Sequence, residues 1–316
     1  MIVAGLLGLG AFLFAILIVG SALSNGSRED GTLPRSAFPT TRPDGTDPDR
    51  PRSNGDANPT ADPTENPNPR PVRLDRSLKT NTLYQVGALP RTRCPAGNAS
   101  IYNHRQLKAL ILKTGACMSK SWKPRLEKAG ITFYPPRYAI VARSGRGACG
   151  DFPMRNSVVP YYCPSNTTIY ASTSAMASGR NGQQGYGALV SWHGGVIGMM
   201  AHEYGHHVQY LSGLSQTRWE ESQGVSESRR LAISRRFELQ ANCLSGMFMR
   251  SVAGTYPIPA SRRQNLFYFF SNVGDWPGYP RDHGTPANSG AWFRQGWQRQ
   301  QAHQCNTWAV GSSTVS

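Results

Sequence analysis

From about residue 25 to residue 80 the chain is almost wholly Pro, Asp, Asn, Gly, Thr and Arg, as in TTRPDGTDPDRPRSNGDANPTADPTENPNPRPVR, and this confines any packed core to the residues beyond it. With almost no aliphatic side chain to bury, nothing offsets the roughly 1–2 kcal/mol per residue that ordering a backbone costs. The tract is expected to be a disordered, locally extended tether. Ahead of it, residues 2–23 (IVAGLLGLGAFLFAILIVGSAL) form an uncharged apolar run. As a helix rising 1.5 Å per residue it spans about 33 Å, enough for a bilayer core. The expected organisation is a transmembrane anchor or signal segment over 1–24, a linker over 25–81, one folded domain over 82–310 and a tail over 311–316. No internal repeat and no dinucleotide or Walker glycine pattern is present.

The apolar run lacks a basic flank before it and exceeds an ordinary signal-peptide core, which favours an uncleaved anchor; the small residues Ser21, Ala22 and Ser24 leave cleavage and secretion as the alternative. Arg28, Arg35 and Arg42 after the run would by themselves hold the remainder in the cytoplasm. The cysteines point the other way. Cys94, Cys117, Cys149, Cys163, Cys243 and Cys305 form an even set at wide spacing with no CxxC pair, the pattern of disulfides in an oxidising space. Large domains cross membranes largely regardless of flanking charge, so the expected location of the domain is outside the cytoplasmic membrane. Six cysteines allow 15 pairings; pairing of neighbours would join Cys94 to Cys117 and Cys149 to Cys163, leaving Cys243 with Cys305.

The formal charge of +16 rests on 34 Lys and Arg against 18 Asp and Glu. The arginines are dispersed and no module interleaving aromatic and basic residues appears, so a nucleic-acid partner is not expected. Anionic lipid head groups and envelope polymers are the polyanions an anchored exterior domain would meet.

Within the domain, Leu107, Leu110, Ile111, Cys117, Trp122 and Leu126 give helical spacing over 104–129, with Pro124 marking a break and a second helix start. Tyr138–Ala142 and Thr167–Ala171 read as short strands. Further helices are expected within Ala188–Leu211 and over Ser234–Val252, Ser261–Ser271 and Gly290–Trp308. The fold class is therefore α+β, mainly helical with a small sheet.

The segment VIGMMAHEYGHHVQYL holds His202, Glu203 and His206 as HExxH. On a helix, positions i and i+4 differ by about 40° in azimuth, so both imidazoles address one ion. Glu203 is offset by about 100° and reaches a metal-bound water without ligating. Val196, Met199, Met200, Tyr204, Val208 and Leu211 supply the apolar face that makes the segment helical. His207, turned about 100° from His206, is a neighbour rather than a ligand. A catalytic zinc site needs a third protein ligand. The continuation HExxHxxGxxH fails, since position 209 is Gln and position 212 is Ser. Glu238, in RRFELQANCLSGMF on an amphipathic pattern, is the better candidate.

HEYGHHVQ, FELQANC, DHGTPAN, WFRQGW and CNTW, with LYQVG and YYCPSNTTIY upstream, resemble the bacterial neutral zinc metallopeptidase family, which is similar to the gluzincins. The resemblance runs from about residue 83 to Trp308. It implies a compact zincin-like domain that hydrolyses peptide bonds, with Zn2+ held by His202, His206 and Glu238, and Glu203 as general base. The partners implied are a peptide or protein substrate and, through the N-terminal helix, the membrane. The family commonly reads Glu-Leu-Gln-Ala-Asp where this chain has Asn242. An acid there typically accepts the free N–H of a ligating histidine; Asn keeps the acceptor oxygen without the charge, so weaker zinc retention is expected. His283 in DHGTPAN is a candidate oxyanion donor, with a surface or turn role as its alternative, and Asp275 either orients it or caps the turn before Pro277. A competing reading is a catalytically weak or silent zinc scaffold that binds envelope partners.

Overall fold

The structure is a computed structural model that describes residues 73–97, 99–154, 158–177, 192–275, 277 and 280–316. The expected anchor and most of the expected linker lie outside the described residues. Among the described residues no helix is long and apolar enough to cross a membrane. The packed domain overruns the 82–310 boundaries at both ends. Leu78 and Val315 are each 4% exposed, and the backbone of Thr285 donates to the Ser316 carbonyl.

The long helix α1 (His104–Lys128) starts where Asn103 Oδ1 accepts from Gln106 N at 3.1 Å. It does not break at Pro124, contrary to the sequence expectation. Pro124 is exposed, so the carbonyl one turn earlier that loses its donor faces water, while buried Trp122 and Leu126 hold the turn to the core. A small three-stranded sheet comes next. β1 (Arg137–Val141) runs parallel to the wholly buried β5 (Thr168–Ser172), and β4 (Tyr161–Cys163) runs antiparallel along the other side of β5. A separate hairpin, β2 (Gly145–Gly147) with β3 (Gly150–Phe152), precedes β4. β2, β3 and β4 are three residues each and were not anticipated, because so few positions carry no alternation to read.

After the single turn α2 (Thr173–Ala177), the helices that build the site are α3 (His193–Leu211) and α5 (Glu227–Val252), separated by α4 (Leu214–Glu221). Ser226 Oγ caps α5, which starts seven residues before the expected Ser234. From Ser245 to Met249 every side chain of α5 is buried, because α3 lies on one side and α7 (Pro286–Arg299) on the other. Small residues set these distances. A Cβ on Gly205 would lie 3.1 Å from the Ala241 carbonyl oxygen, and one on Gly296 would collide with the Cys243 carbonyl. α6 (Ala260–Phe270) closes the bundle. The expected single helix Gly290–Trp308 is instead α7 followed by a 3-10 turn over Ala302–Cys305, because Gln300 takes a left-handed φ of 57° and ends the helix.

All three neighbour disulfides form: Cys94–Cys117, Cys149–Cys163 and Cys243–Cys305. The last ties α5 to the 3-10 turn after α7, not to the C-terminal helix itself.

Candidate metal centre

The close crossing of α3 over α5 at Gly205 and Ala241 brings together three side chains from two helices. His202 Nε2 and His206 Nε2 are 3.1 Å apart, and each lies 3.2 Å from Glu238 Oε2. These are the three donor atoms that a single ion could bind.

Whether a cation fits there is decided on the far sides of the rings. His202 Nδ1 faces Asn242 Oδ1 at 2.8 Å, and His206 Nδ1 faces Gln209 Oε1 at 2.8 Å. The Gln209 amide cannot be reversed, since its nitrogen donates to the Phe237 carbonyl and to Gln240 Oε1, both at 2.9 Å. Both Nδ1 atoms therefore carry the proton, which leaves lone pairs on both Nε2 atoms. Three electron-rich atoms about 3.1–3.2 Å apart repel one another unless a cation lies among them. Their spacing is near the ~3.3 Å edge of a tetrahedron with ~2.0 Å metal bonds, so the donor set fits zinc. Glu238 is buried, which opposes ionisation, but the neighbouring imidazoles of His206 and His283 hold its carboxyl well below the usual range.

Glu203 lies one residue after His202, 5% exposed. Its Oε2 accepts the Tyr162 N–H from edge strand β4 at 2.8 Å, so the sheet aims the carboxylate. Burial, with a smaller push from Glu238, raises it to about 7 against the pull of His202 and the Tyr162 bond. His207 points away, as its azimuth requires. Its Nε2 donates to the Tyr134 carbonyl at 2.7 Å and its Nδ1 meets Tyr162 OH at 3.1 Å. Burial pushes it down to about 4, so it stays neutral and pins α3 to the sheet.

The loop between α6 and α7 places His283 over the donor triad. Asp275 builds that loop through the backbone: its carboxylate accepts from Asp282 N at 3.1 Å, His283 N at 2.8 Å and Gly284 N at 2.7 Å. The imidazole itself is oriented by Asp282, whose Oδ1 lies 2.5 Å from Nδ1. The Nε2 end is buried without a hydrogen-bond partner among the described residues, 3.9 Å from Glu238 Oε2. Burial opposes its charge, yet Glu238 and Asp282 bring it up to about 9.

Of the residues singled out in the sequence, His202, Glu203, His206, Glu238, Asn242 and His283 meet in one place, and Asp275 supports them from the loop. Gln209, Tyr162, Asp282 and Ser289 escaped sequence reasoning. Gln209 stands three residues after His206, a helical spacing that could have pointed to it.

A family model described as "Putative neutral zinc metallopeptidase" matches residues 84–260. The uncharacterized protein YpfJ of Escherichia coli K12 is 25% identical over 202 residues, which cover 61% of this chain and 68% of that one. The uncharacterized protein Rv2575 of Mycobacterium tuberculosis is 27% identical over 238 residues, 66% of this chain and 72% of that one. No solved structure matches the chain. With more than half its length, including the HExxH helix, inside the matching region, the chain belongs to the neutral zinc metallopeptidase family.

Proposed function

We propose that the chain is a zinc-dependent peptidase. The observation that carries this reading is the convergence of two imidazole nitrogens and one carboxylate oxygen within 3.2 Å of one another, with a buried Glu203 beside them. His202, His206 and Glu238 would hold the ion. Bound zinc supplies a Lewis acid for the peptide carbonyl and lowers the pKa of bound water toward about 7. Glu203, held by the Tyr162 N–H, accepts the proton of the attacking water and delivers it to the leaving amine. His283 presents its Nε2–H toward the negative oxygen that develops at the carbonyl, braced by Asp282.

Asn242 in place of an acid favours one other reading, a zinc scaffold with little or no chemistry. Glu203→Gln separates the two. On the peptidase reading the variant keeps one zinc per chain and its hydrolysis of a mixed peptide pool falls by at least about 100-fold. A wild-type chain that binds zinc but is no faster than the variant is the scaffold. The three disulfides support a domain outside the cytoplasmic membrane, tethered by residues 2–23. Thiols that react in intact cells without prior reduction would count against that location.

A further inference from the structure

The first turns of α5, residues 77–79 and residues 308–310 border a second cavity, which shares no wall with the metal centre. It measures about 730 Å³, against about 60 Å³ for the cavity at the metal centre. Sites for small organic ligands run to about 300–1,000 Å³, so this space suits a molecule rather than a single ion. We propose that the cavity binds a phosphate ester, with Lys79, Arg229 and Arg236 meeting its charge and the Trp308 indole N–H bonding one of its oxygens. The inference is independent of zinc and of hydrolysis.

Three observations carry it. The first is an unanswered donor. Trp308 lines the cavity at 8% exposure, and its Nε1 is buried with no hydrogen-bond partner among the described residues. A buried donor is costly to leave bare, so an acceptor entering from the cavity is favoured there. The second is charge. Arg229, Ile233 and Arg236 share one face of α5 at i, i+4 and i+7, and Lys79 lines the same space. Among the described residues none of these three cations is paired with a carboxylate. Glu221, at the end of α4, is the one acid in the wall. Three positive charges less one negative leave two, which matches the charge of about −1.5 to −2 on a phosphate monoester. Burial, then the guanidiniums of Arg229 and Arg235, lower the pKa of Arg236, as an unbalanced positive site requires. The third is the apolar remainder of the wall, where the buried Leu78 and Ile233 give the body of an ester a surface to lie on.

Much of the site is assembled before a ligand arrives. Arg236 Nη1 donates to the carbonyls of Thr307 and Val310, which flank Trp308, and Thr307 Oγ1 donates back to the Arg236 carbonyl at 2.7 Å. Asn306 Oδ1 accepts from Trp308 N at 3.1 Å, while its Nδ2 donates to the Lys79 carbonyl at 2.8 Å. The indole, the Arg236 guanidinium and the backbone of Lys79 are thereby fixed relative to one another. Binding then has little to order beyond the exposed side chains of Lys79 and Arg229.

The test titrates the full-length, zinc-loaded chain in detergent with hexyl phosphate, read by calorimetry. One equivalent should bind, hexanol should not, and inorganic phosphate should bind at least about 10-fold more weakly for want of the apolar stem. Trp308→Phe keeps an aromatic body and removes the N–H, and should weaken hexyl phosphate about 10-fold. Because that change leaves the chain's formal charge of +16 intact, a general attraction of anions to a basic protein would not respond to it. Arg229→Gln, at an exposed position where folding is not at stake, should weaken binding by a similar factor. Zinc content should be unchanged in both variants. Dihexanoyl phosphatidate and glycerol 3-phosphate then name the source: tighter binding of the first assigns a lipid head group, and otherwise the ligand is a soluble ester. The site is overturned by no saturable binding of hexyl phosphate, by hexanol or inorganic phosphate binding as tightly, or by an affinity that either variant leaves unchanged.

Discussion

Replacing Asn242 with aspartate should tighten zinc binding. The side-chain oxygen at 242 accepts the Nδ1–H of His202 at 2.8 Å, so the substitution adds a negative charge across one imidazole from the ion. At a separation of about 6 Å and an effective dielectric constant of about 20, the added attraction to a doubly charged ion is about 5 kcal/mol. Position 242 is only 6% exposed, and taking a carboxylate out of water there offsets much of that gain. A net of about 1.4–2.7 kcal/mol remains, a 10- to 100-fold lower dissociation constant, which is the range for groups that brace metal ligands. No donor is stranded by the change. Asn242 Nδ2 now donates to Ser289 Oγ at 3.0 Å, and the serine hydroxyl can instead donate to the new carboxylate. Competition with a chromogenic chelator at neutral pH measures the effect, and Asn242→Ala should shift affinity by a similar factor in the opposite direction. An unchanged affinity in Asn242→Asp would refute the claim that residue 242 governs the basicity of a ligating His202.

Gln209→Leu removes the acceptor that fixes the His206 tautomer and strips the Phe237 carbonyl of a buried donor. Zinc affinity should fall about 10- to 100-fold and stability by about 1–3 kcal/mol, read by chelator competition and denaturant titration. Converting Cys243 and Cys305 to serine should cost about 4 kcal/mol, from a closed loop of 62 residues. It should also weaken zinc binding, because the Cys305 carbonyl holds Gln240, which holds Gln209, which holds His206. Full zinc retention in the double variant would show that this hydrogen-bonded chain does not brace the ion.

Much of the site was legible because its spacing is local. His202, Glu203 and His206 are fixed by helix geometry alone, and the apolar face from Val196 to Leu211 declared the helix. Glu238 could be proposed but not placed, since its approach depends on the passage of Gly205 over Ala241, and close packing between helices leaves no period in either one. His283 was reachable as a glycine-flanked histidine; of the two roles open to Asp275, orienting that ring or holding a turn, the structure shows it accepting from the loop backbone, and the ring is oriented by Asp282, which no sequence signal marked. Pro124 misled for a plain reason: a proline costs a helix one hydrogen bond, and on a solvent face water takes the orphaned carbonyl. The short strands carried too few residues for alternation to show, yet β4 supplies the N–H that aims Glu203.

The most direct test of the central claim is zinc-edge X-ray absorption on the full-length chain loaded with one equivalent of metal. The account predicts two imidazole nitrogens and one carboxylate oxygen at about 2.0–2.2 Å with one further light atom from water, and loss of the carboxylate shell in Glu238→Ala. A chain that takes up no stoichiometric zinc, or a zinc shell unchanged by the loss of Glu238, would contradict it.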